Sequence, residues 1–135
     1  MGSRRSRVSS GSPFEAAIGF SRAVRAGDRV VVSGTAPIWP DGKCDPEPGA
    51  QTTRCLEIIG RALTEAGGSL EDVIRTRLYI TNPGDAGEVG EAHRQVFGSI
   101  RPASTMVVVA GLLDERWKVE IEAEACITSA RAEER

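Results

Sequence analysis

The chain has 135 residues, of which 27% are charged, and a formal net charge of -2 with acidic and basic residues interspersed. That length is sufficient for one domain with its own hydrophobic core, without a disulfide or a metal ion to stabilise it. The near-neutral charge argues against a basic nucleic-acid-binding surface, and no apolar run approaches the roughly 20 residues that a membrane helix requires.

The chain begins with a stretch of Ser, Arg and Gly that offers little to bury. We predict that residues 1–13 are a disordered basic tail, that 14–128 form a single domain and that 129–135 are a C-terminal tail. The turn Ala26-Gly27-Asp28 lies between two segments with β-branched residues, which predicts a β-hairpin. Val30 to Val32 should then lie in a central strand.

Two helices and a strand are predicted next. Apolar residues recur at helical spacing from Ala50 to Ala66, and Gly67 and Gly68 supply a left-handed stop. Residues from Val73 to Ile80 alternate as a strand does, and Asp85 can cap a second helix that ends near Phe97.

The stretch from Arg101 to Cys126 predicts two strands joined by a short loop at Gly111 to Arg116. In the second strand, strict alternation places apolar residues on one face and three carboxylates on the other: Val119, Ile121, Ala123 and Ala125 against Glu120, Glu122 and Glu124. Like charges in a row repel each other unless cations lie nearby. Arg75 and Arg77 are therefore the predicted partners of these glutamates.

The element order β-β-α-β-α-β-β predicts an α+β fold in which two helices cover one face of a mixed sheet. The other face, which carries the arginines and glutamates, must then meet solvent or another subunit. We therefore expect an oligomer.

Several short pieces of the chain together resemble the Rid (YjgF) family of reactive-intermediate, or imine and enamine, deaminases in their order and spacing. They are Val31-Val32-Ser33-Gly34 with Ala36-Pro37, Glu65-Ala66-Gly67-Gly68-Ser69-Leu70-Glu71-Asp72-Val73, Leu78-Tyr79-Ile80-Thr81, Arg101-Pro102-Ala103 and Val119-Glu120-Ile121-Glu122-Ala123. The resemblance extends from about Ile18 to Ile127.

The resemblance implies a chorismate-mutase-like fold and a homotrimer with clefts at the subunit interfaces. It also implies cofactor-free hydrolysis of an enamine or imine, such as 2-aminoacrylate, to a 2-keto acid and ammonia. Chains of this kind also carry the name L-PSP endoribonuclease. In the deaminases an arginine directly after the Pro-Ala step holds the substrate carboxylate, whereas this chain has Ser104 there.

That difference matters because a hydroxyl cannot replace a planar, permanently charged guanidinium. Losing such a contact forfeits about 1.5 to 3 kcal/mol or more. The chain therefore resembles a branch that lacks the deaminase arginine, and we expect weak activity on free 2-imino acids.

The resemblance also carries over the candidate site. Glu120 matches the glutamate that positions the attacking water; alternatively, it pairs with Arg75 or Arg77 at a subunit contact. The candidate substrate-binding residues are Phe20, Ser33, Gly90, Ser104, Thr105, Met106 and Trp117. Among these, Phe20, Gly90 and Met106 stand where the deaminases carry tyrosine, asparagine and often cysteine.

Two further residues have both a structural and a functional interpretation. His93 is either a histidine of the helix core or an acid or base that reaches the cleft. Arg101 is either a solvated surface residue or a substitute anion clamp.

Our function hypothesis is a Rid-like hydrolase or deaminase that acts on a small enamine, imine or related carbonyl compound without cofactor or metal. The alternative is a non-catalytic, ligand-binding or regulatory trimer, and an endoribonuclease is third. The single histidine provides no His pair for acid–base cleavage of RNA, so nucleic acid is not an expected partner. The three cysteines form no C-x-x-C pair, and we expect a reduced, cytoplasmic protein without membrane contact.

Overall fold

The computed structural model describes residues 5–128. Its strands are β1 Arg5–Val8, β2 Ala23–Ala26, β3 Arg29–Thr35, β4 Val73–Ile80, β5 Ala103–Val108 and β6 Val119–Cys126. Its α-helices are α1 Pro13–Ile18, α2 Pro48–Glu65 and α3 Ala86–Phe97, and short 3-10 turns precede β4 and α3. The predicted α+β class and the order of elements from β2 to β6 are confirmed.

The six strands form one mixed sheet in the order β1-β2-β3-β6-β4-β5. Only β4 and β5 run parallel, and all other neighbouring strands are antiparallel. The predicted hairpin around Gly27 is confirmed as the β2–β3 pair. The last two strands are confirmed, although their connection, residues 109–118, is longer than the predicted loop, and β4 lies between them in the sheet. Local periodicity identifies strands but contains no information on their order in a sheet.

The helices α2 and α3 pack against each other and cover one face of the sheet, as predicted. The shared core contains Val30, Val32, Leu56, Ile59, Leu63, Leu78, Ile80, Val89, Phe97, Val119 and Ile121, each at most 1% exposed. Full burial of such a side chain contributes about 1.5–3 kcal/mol. The predicted stop of α2 is also confirmed: Gly67 has φ 95, and the Gly68 N–H donates to Leu63 O at 2.8 Å.

The opposite face of the sheet carries the predicted charges. Arg75 lies opposite Glu124 and Arg77 opposite Glu122 in the β4–β6 register. Arg77 Nη1 is 3.0 Å from Glu122 Oε2 and 3.6 Å from Glu124 Oε2. The predicted role is confirmed for Arg77, whereas Arg75 forms no ion pair within 4.0 Å among residues 5–128, and Arg29 of β3 lies 3.0 Å from Glu124 instead.

The N-terminal segment corrects one expectation. The sequence predicts a disordered tail over residues 1–13, but Arg5–Val8 pairs with β2 as β1, and Pro13 begins α1. Ser12 caps α1 by accepting a hydrogen bond from the Phe14 N–H at 3.3 Å. This polar segment is ordered because strand pairing and helix capping satisfy its backbone N–H and C=O groups. A prediction based on low hydrophobicity alone does not take these backbone hydrogen bonds into account. The predicted C-terminal tail at 129–135 lies outside the described residues.

Among residues 5–128, no helix combines the length and the apolar character needed to cross a bilayer.

Candidate functional site

A cavity of about 930 Å³ lies where β3 and β6 meet the N-terminal segment and α2. Four of the predicted site residues line it: Phe20, Ser33, Trp117 and Glu120. Ser33 belongs to β3 and Glu120 to β6, while Phe20 and Trp117 lie just before β2 and β6. The fold thus brings together residues that are up to 100 positions apart in the sequence.

An irregularity in β3 allows Glu120 to approach the backbone of β3. Val32 pairs with Ala123 and Thr35 with Ile121, so β3 contains one extra residue over this interval. Such a β-bulge bends the strand and changes the direction of nearby side chains. A Cβ at Gly34 would collide with Glu120 Oε2, so this position needs glycine if the carboxyl is to keep its place.

Glu120 differs electrostatically from the other two glutamates of β6. Burial raises the pKa of its carboxyl above the ordinary 4.5; Arg22 opposes that rise, and Glu122 adds to it. Its opposite residue on β4 is Tyr79, whose hydroxyl donates to Glu122 Oε1 at 2.6 Å rather than to Glu120. Glu120 is therefore a half-buried carboxyl without an ion-pair partner within 4.0 Å among residues 5–128.

Arg22 is a cavity residue that the sequence analysis missed. It is 6% exposed, and its Nη1 donates to Gly34 O at 2.8 Å and to Thr35 Oγ1 at 3.0 Å. Its Cζ lies 5.4 Å from the centre of the Phe20 ring. Burial lowers the pKa of Arg22, while Glu15 and Glu120 raise it. No local pattern in the sequence marks Arg22, because it lies outside the strands and an arginine normally indicates a solvated position.

The other residues of the cavity wall are held by their own contacts. Ser33 Oγ donates to Ser21 O at 2.7 Å, so its oxygen remains free to accept a hydrogen bond. Trp117 is 7% exposed and packs edge-to-face on Phe14, with ring centroids 6.5 Å apart. Ser33 thus makes a backbone contact and also lines the cavity.

A second group of predicted residues lies around β5 and α3, on the helix-covered side of the sheet. Thr76 Oγ1 donates to Ser104 Oγ at 2.8 Å and lies 2.9 Å from His93 Nε2. Burial lowers the pKa of His93, which favours the neutral ring. His93 also packs on Phe97, with ring centroids 4.7 Å apart.

The remaining predicted residues lie on or near the same elements, with Thr105 on the opposite, charged face of the sheet. Met106 is half-buried against the core, and Thr105 is exposed on β5 opposite Arg77. Gly90 lies within α3, where an added Cβ would meet no atom within 4 Å. Arg101 is exposed, with φ 55, immediately before β5.

Within one protomer, the predicted site residues therefore form two separate groups. The cavity group contains Phe20, Ser33, Trp117 and Glu120; the β5 group contains Gly90, His93, Arg101, Ser104, Thr105 and Met106. Two strands separate β5 from β3, which corresponds to roughly 14 Å at the normal strand spacing. None of the β5 group lines the cavity.

The groups in the cavity that can act chemically are carboxyl, guanidinium and hydroxyl groups. Across residues 5–128, no three His, Cys, Asp or Glu side chains are grouped as a metal ion would require. Cys44, Cys55 and Cys126 are free thiols.

Sequence comparison gives this geometry a family context. The family profile described as Endoribonuclease L-PSP matches residues 11–127. An uncharacterized protein of Streptomyces coelicolor is 44% identical over 122 residues, which is 88% of this chain and 90% of that protein. A RutC family protein of Pyrococcus abyssi is 34% identical over 101 residues, which is 69% of this chain and 75% of that protein.

Structural comparison agrees. The crystal structure of Rv2704 from Mycobacterium tuberculosis, described as a member of the YjgF/YER057c/UK114 family, is 48% identical and superposes with a TM-score of 0.85. The match covers 92% of this chain and all 100% of that chain. The chain therefore belongs to the Rid (YjgF) family, to which the Endoribonuclease L-PSP profile corresponds.

Proposed function

We propose that this chain is a cofactor-free hydrolase of an enamine, imine or related carbonyl compound, acting in a cleft between protomers of a homotrimer. The observation that carries the proposal is Glu120, a half-buried carboxyl of raised pKa on the wall of a 930 Å³ cavity. Family membership supports the same reaction class, because Glu120 matches the glutamate that positions water in the Rid deaminases.

The chemistry requires a water at the C=N carbon and a group that takes a proton from that water. Ionised Glu120 accepts this proton as the water oxygen bonds to the carbon of a protonated imine, and a carbinolamine forms. The carboxyl then passes the proton to nitrogen, takes the hydroxyl proton as the C–N bond breaks, and ammonia leaves a carbonyl product. An enamine enters the same route after protonation at carbon gives the imine.

The separation of the two residue groups supports an intersubunit cleft. A second protomer that brings its β5 to the cavity would place Ser104 or Thr105 of one chain near Glu120 of the other. The outer edge of β5 has no partner strand within residues 5–128, and its Val107 and Val108 are 41% and 53% exposed. Exposed apolar side chains on an unpaired edge favour burial against another chain. Trimer stoichiometry follows from the family resemblance.

The position of Ser104 bears on the substrate. Its hydroxyl accepts a hydrogen bond from Thr76, and it has no charge with which to hold a carboxylate. We therefore expect the wild-type chain to hydrolyse 2-aminoacrylate measurably but more slowly than a chain with an arginine at this position. If the β5 position is the anion site, Ser104→Arg should increase the rate of pyruvate release from 2-aminoacrylate.

The second candidate is a ligand-binding trimer without catalysis, and Ser104 is the observation that favours it. A site that has lost a substrate-holding charge could retain its cavity for recognition alone. A compound that binds in the cavity without turnover, with equal affinity for wild type and Glu120→Gln, would support this candidate.

Cleavage of RNA, which the family description names, is not proposed for this chain. Acid–base cleavage of a phosphodiester commonly needs two titrating groups near neutral pH. The single histidine, His93, is hydrogen-bonded to Thr76 outside the cavity.

A cytoplasmic location remains a prediction. The free thiols of Cys44, Cys55 and Cys126 are compatible with it.

The test is the rate of keto acid release from 2-imino acids that an amino acid oxidase generates in the assay. We expect wild type to accelerate hydrolysis, and Glu120→Gln to lose about 10²- to 10⁴-fold of that acceleration. Glu124→Gln is the matched control, since it removes the same charge from the same strand outside the cavity. Absence of acceleration with imines from both alanine and phenylalanine would overturn the proposal.

A further inference from the structure

The cavity around Glu120 is much larger than a three-carbon imino acid. At the roughly 30 Å³ that each water occupies in the liquid, its 930 Å³ corresponds to about 30 waters. Sites of 300–1,000 Å³ are typical for drug-sized ligands. A three-carbon acid would occupy only a small part of this volume, which in the proposed trimer the ligand shares with the β5 of a neighbouring protomer.

Four aromatic side chains belong to the cavity wall. They are Phe14, Phe20, Trp39 and Trp117. Phe14 and Trp117 pack edge-to-face, so the N-terminal helix α1 contributes one ring of this pair. Rings of this kind favour a planar apolar group, which can stack on a face or meet an edge.

Arg22 supplies a buried cation with unused hydrogen-bond donors. A guanidinium has five N–H donors. In Arg22, Nη1 makes the two hydrogen bonds to Gly34 and Thr35, whereas Nε is buried without a hydrogen-bond partner in the described part of the chain. Among the hydrogen bonds formed within residues 5–128, none comes from Nη2. Nη2 is therefore the donor group of Arg22 that remains for a ligand in the cavity, whereas the fully buried Nε lies near Glu15.

The acidic neighbour of Arg22 is already engaged elsewhere. Glu15 Oε2 lies 3.7 Å from Arg22 Nε, beyond hydrogen-bond distance. Its carboxylate accepts hydrogen bonds from the Ser9 and Ser10 hydroxyls and from the Ser10 N–H. Burial raises the pKa of Glu15, but those hydrogen bonds and Arg22 more than offset the rise, so the pKa lies below 4.5. Glu15 thus stays charged and holds α1 near Arg22 without occupying its donors.

The charges along the wall also favour an anion. Arg54 and Arg61 line the cavity with Arg22, against the carboxyl groups of Glu65 and Glu120. Arg54 is partly engaged, since its Nε donates to Ile38 O at 2.7 Å. Arg54 is also ion-paired with Glu57 at 3.3 Å, so Arg22 and Arg61 are the guanidinium groups of the wall that remain for an anionic ligand.

We propose that the cavity binds a carboxylate joined to a planar apolar body, of the size of an aromatic 2-keto or 2-imino acid, and that Arg22 of the same protomer holds the carboxylate. This inference rests on the proposed function, because it names the substrate class of that site. It moves the anion contact from β5, where Ser104 stands, to a residue beside Glu120. The chain would then keep its charged anchor despite the missing deaminase arginine.

The test compares three unreactive ligands by isothermal titration calorimetry on the wild-type protein: phenylacetate, acetate and phenylacetamide. We expect phenylacetate to bind at least about tenfold more tightly than acetate, because only phenylacetate fills the apolar wall. It should also bind about 10- to 100-fold more tightly than phenylacetamide, which has nearly the same shape without the charge. Equal affinity for phenylacetate and phenylacetamide would overturn the assignment of an anion site.

Variants then test Arg22 itself. Arg22→Gln should bind phenylacetate and phenylacetamide alike, and Arg22→Lys should recover part of the preference. Glu15→Gln is the matched control: it removes the ionic neighbour of Arg22 but does not line the cavity, so the preference for phenylacetate should remain. A folded Arg22→Gln protein that keeps the wild-type preference would refute the role of Arg22. If Arg22→Gln does not fold, the role of Arg22 is tested by the affinities of Arg22→Lys and of wild type for the three ligands.

These outcomes are separable from those of the proposed function, because binding of unreactive acids requires no turnover. Tight phenylacetate binding without imine hydrolysis would leave the anion site standing and remove the hydrolase. Imine hydrolysis by a protein that binds phenylacetate and phenylacetamide equally would support the hydrolase and remove the anion site.

Discussion

Gly34→Ala offers a sharp test of how Glu120 is positioned. A Cβ at this position would collide with Glu120 Oε2, while the next nearest atom, Glu120 Cδ, lies 3.4 Å away. The colliding atom is the end of a flexible side chain, so the fold can accommodate the methyl group by turning the carboxyl away. We therefore expect the free energy of unfolding to change by less than about 1 kcal/mol, within the usual range for substitutions without a core defect.

Activity should respond far more strongly than stability. A displacement of about 1 Å in a reacting group can cost on the order of 10²-fold in rate. The assay is imine hydrolysis alongside urea denaturation, with Gly87→Ala as control, because an added Cβ there meets no atom within 4 Å. Gly87→Ala in helix α3 should keep full activity and gain up to about 1 kcal/mol. A fully active Gly34→Ala protein would refute the idea that Glu120 must lie against the bulge of β3.

Three further predictions concern the surrounding structure. Thr76 is 0% exposed and links Ser104 to His93 by hydrogen bonds. In urea titrations, Thr76→Val should lower the free energy of unfolding by about 1–3 kcal/mol, and Thr76→Ser, which keeps the hydroxyl, by clearly less. Equal losses in the two variants would contradict the hydrogen-bond explanation. Burial holds the pKa of His93 below 6.5, so the unfolded chain takes up this proton first as the pH falls. The contribution of His93 to stability is thus complete above about pH 6.5 and decreases below it, and stability curves of wild type and His93→Gln should converge towards acid; parallel curves would exclude this coupling. The side chains of the Arg77–Glu122 ion pair are 36% and 32% exposed, so solvent screens their attraction. Glu122→Gln should therefore lower the free energy of unfolding by less than about 1 kcal/mol in the same titrations. A loss above about 2 kcal/mol would contradict this screening.

Strand β6 and helix α2 illustrate what the sequence can predict. The alternation from Val119 to Cys126 separates buried from partly exposed residues without exception in the structure. The apolar spacing and Gly67 give α2 its buried face and its end, although the helix begins at Pro48 instead of Ala50. In both elements one strong local signal, the periodicity of apolar residues, determines the result.

Arg22 illustrates what the sequence could not predict with local rules. An arginine in such a position normally indicates a solvated surface. Arg22 is buried because it lies between the bulged part of β3 at Gly34 and the N-terminal segment that carries Glu15. Strand β1 was missed for a similar reason, since its partners lie on β2 and three of its four residues are polar. Such features depend on contacts between distant segments of the chain, and the periodicity of apolar residues gives no information on those contacts.

Subunit complementation is the measurement that tests the shared cleft most directly. Glu120→Gln removes the proposed water-holding group, and Thr105→Trp should block the contribution of β5 from the neighbouring protomer. Each pure variant should be inactive while light scattering still reports a trimer. Equal parts of the two, unfolded and refolded together, should regain about one quarter of the wild-type imine hydrolysis, because one in four neighbouring pairs combines an intact Glu120 with an intact β5. A mixture as inactive as either variant, or a fully active Thr105→Trp protein, would contradict a cleft built from two protomers.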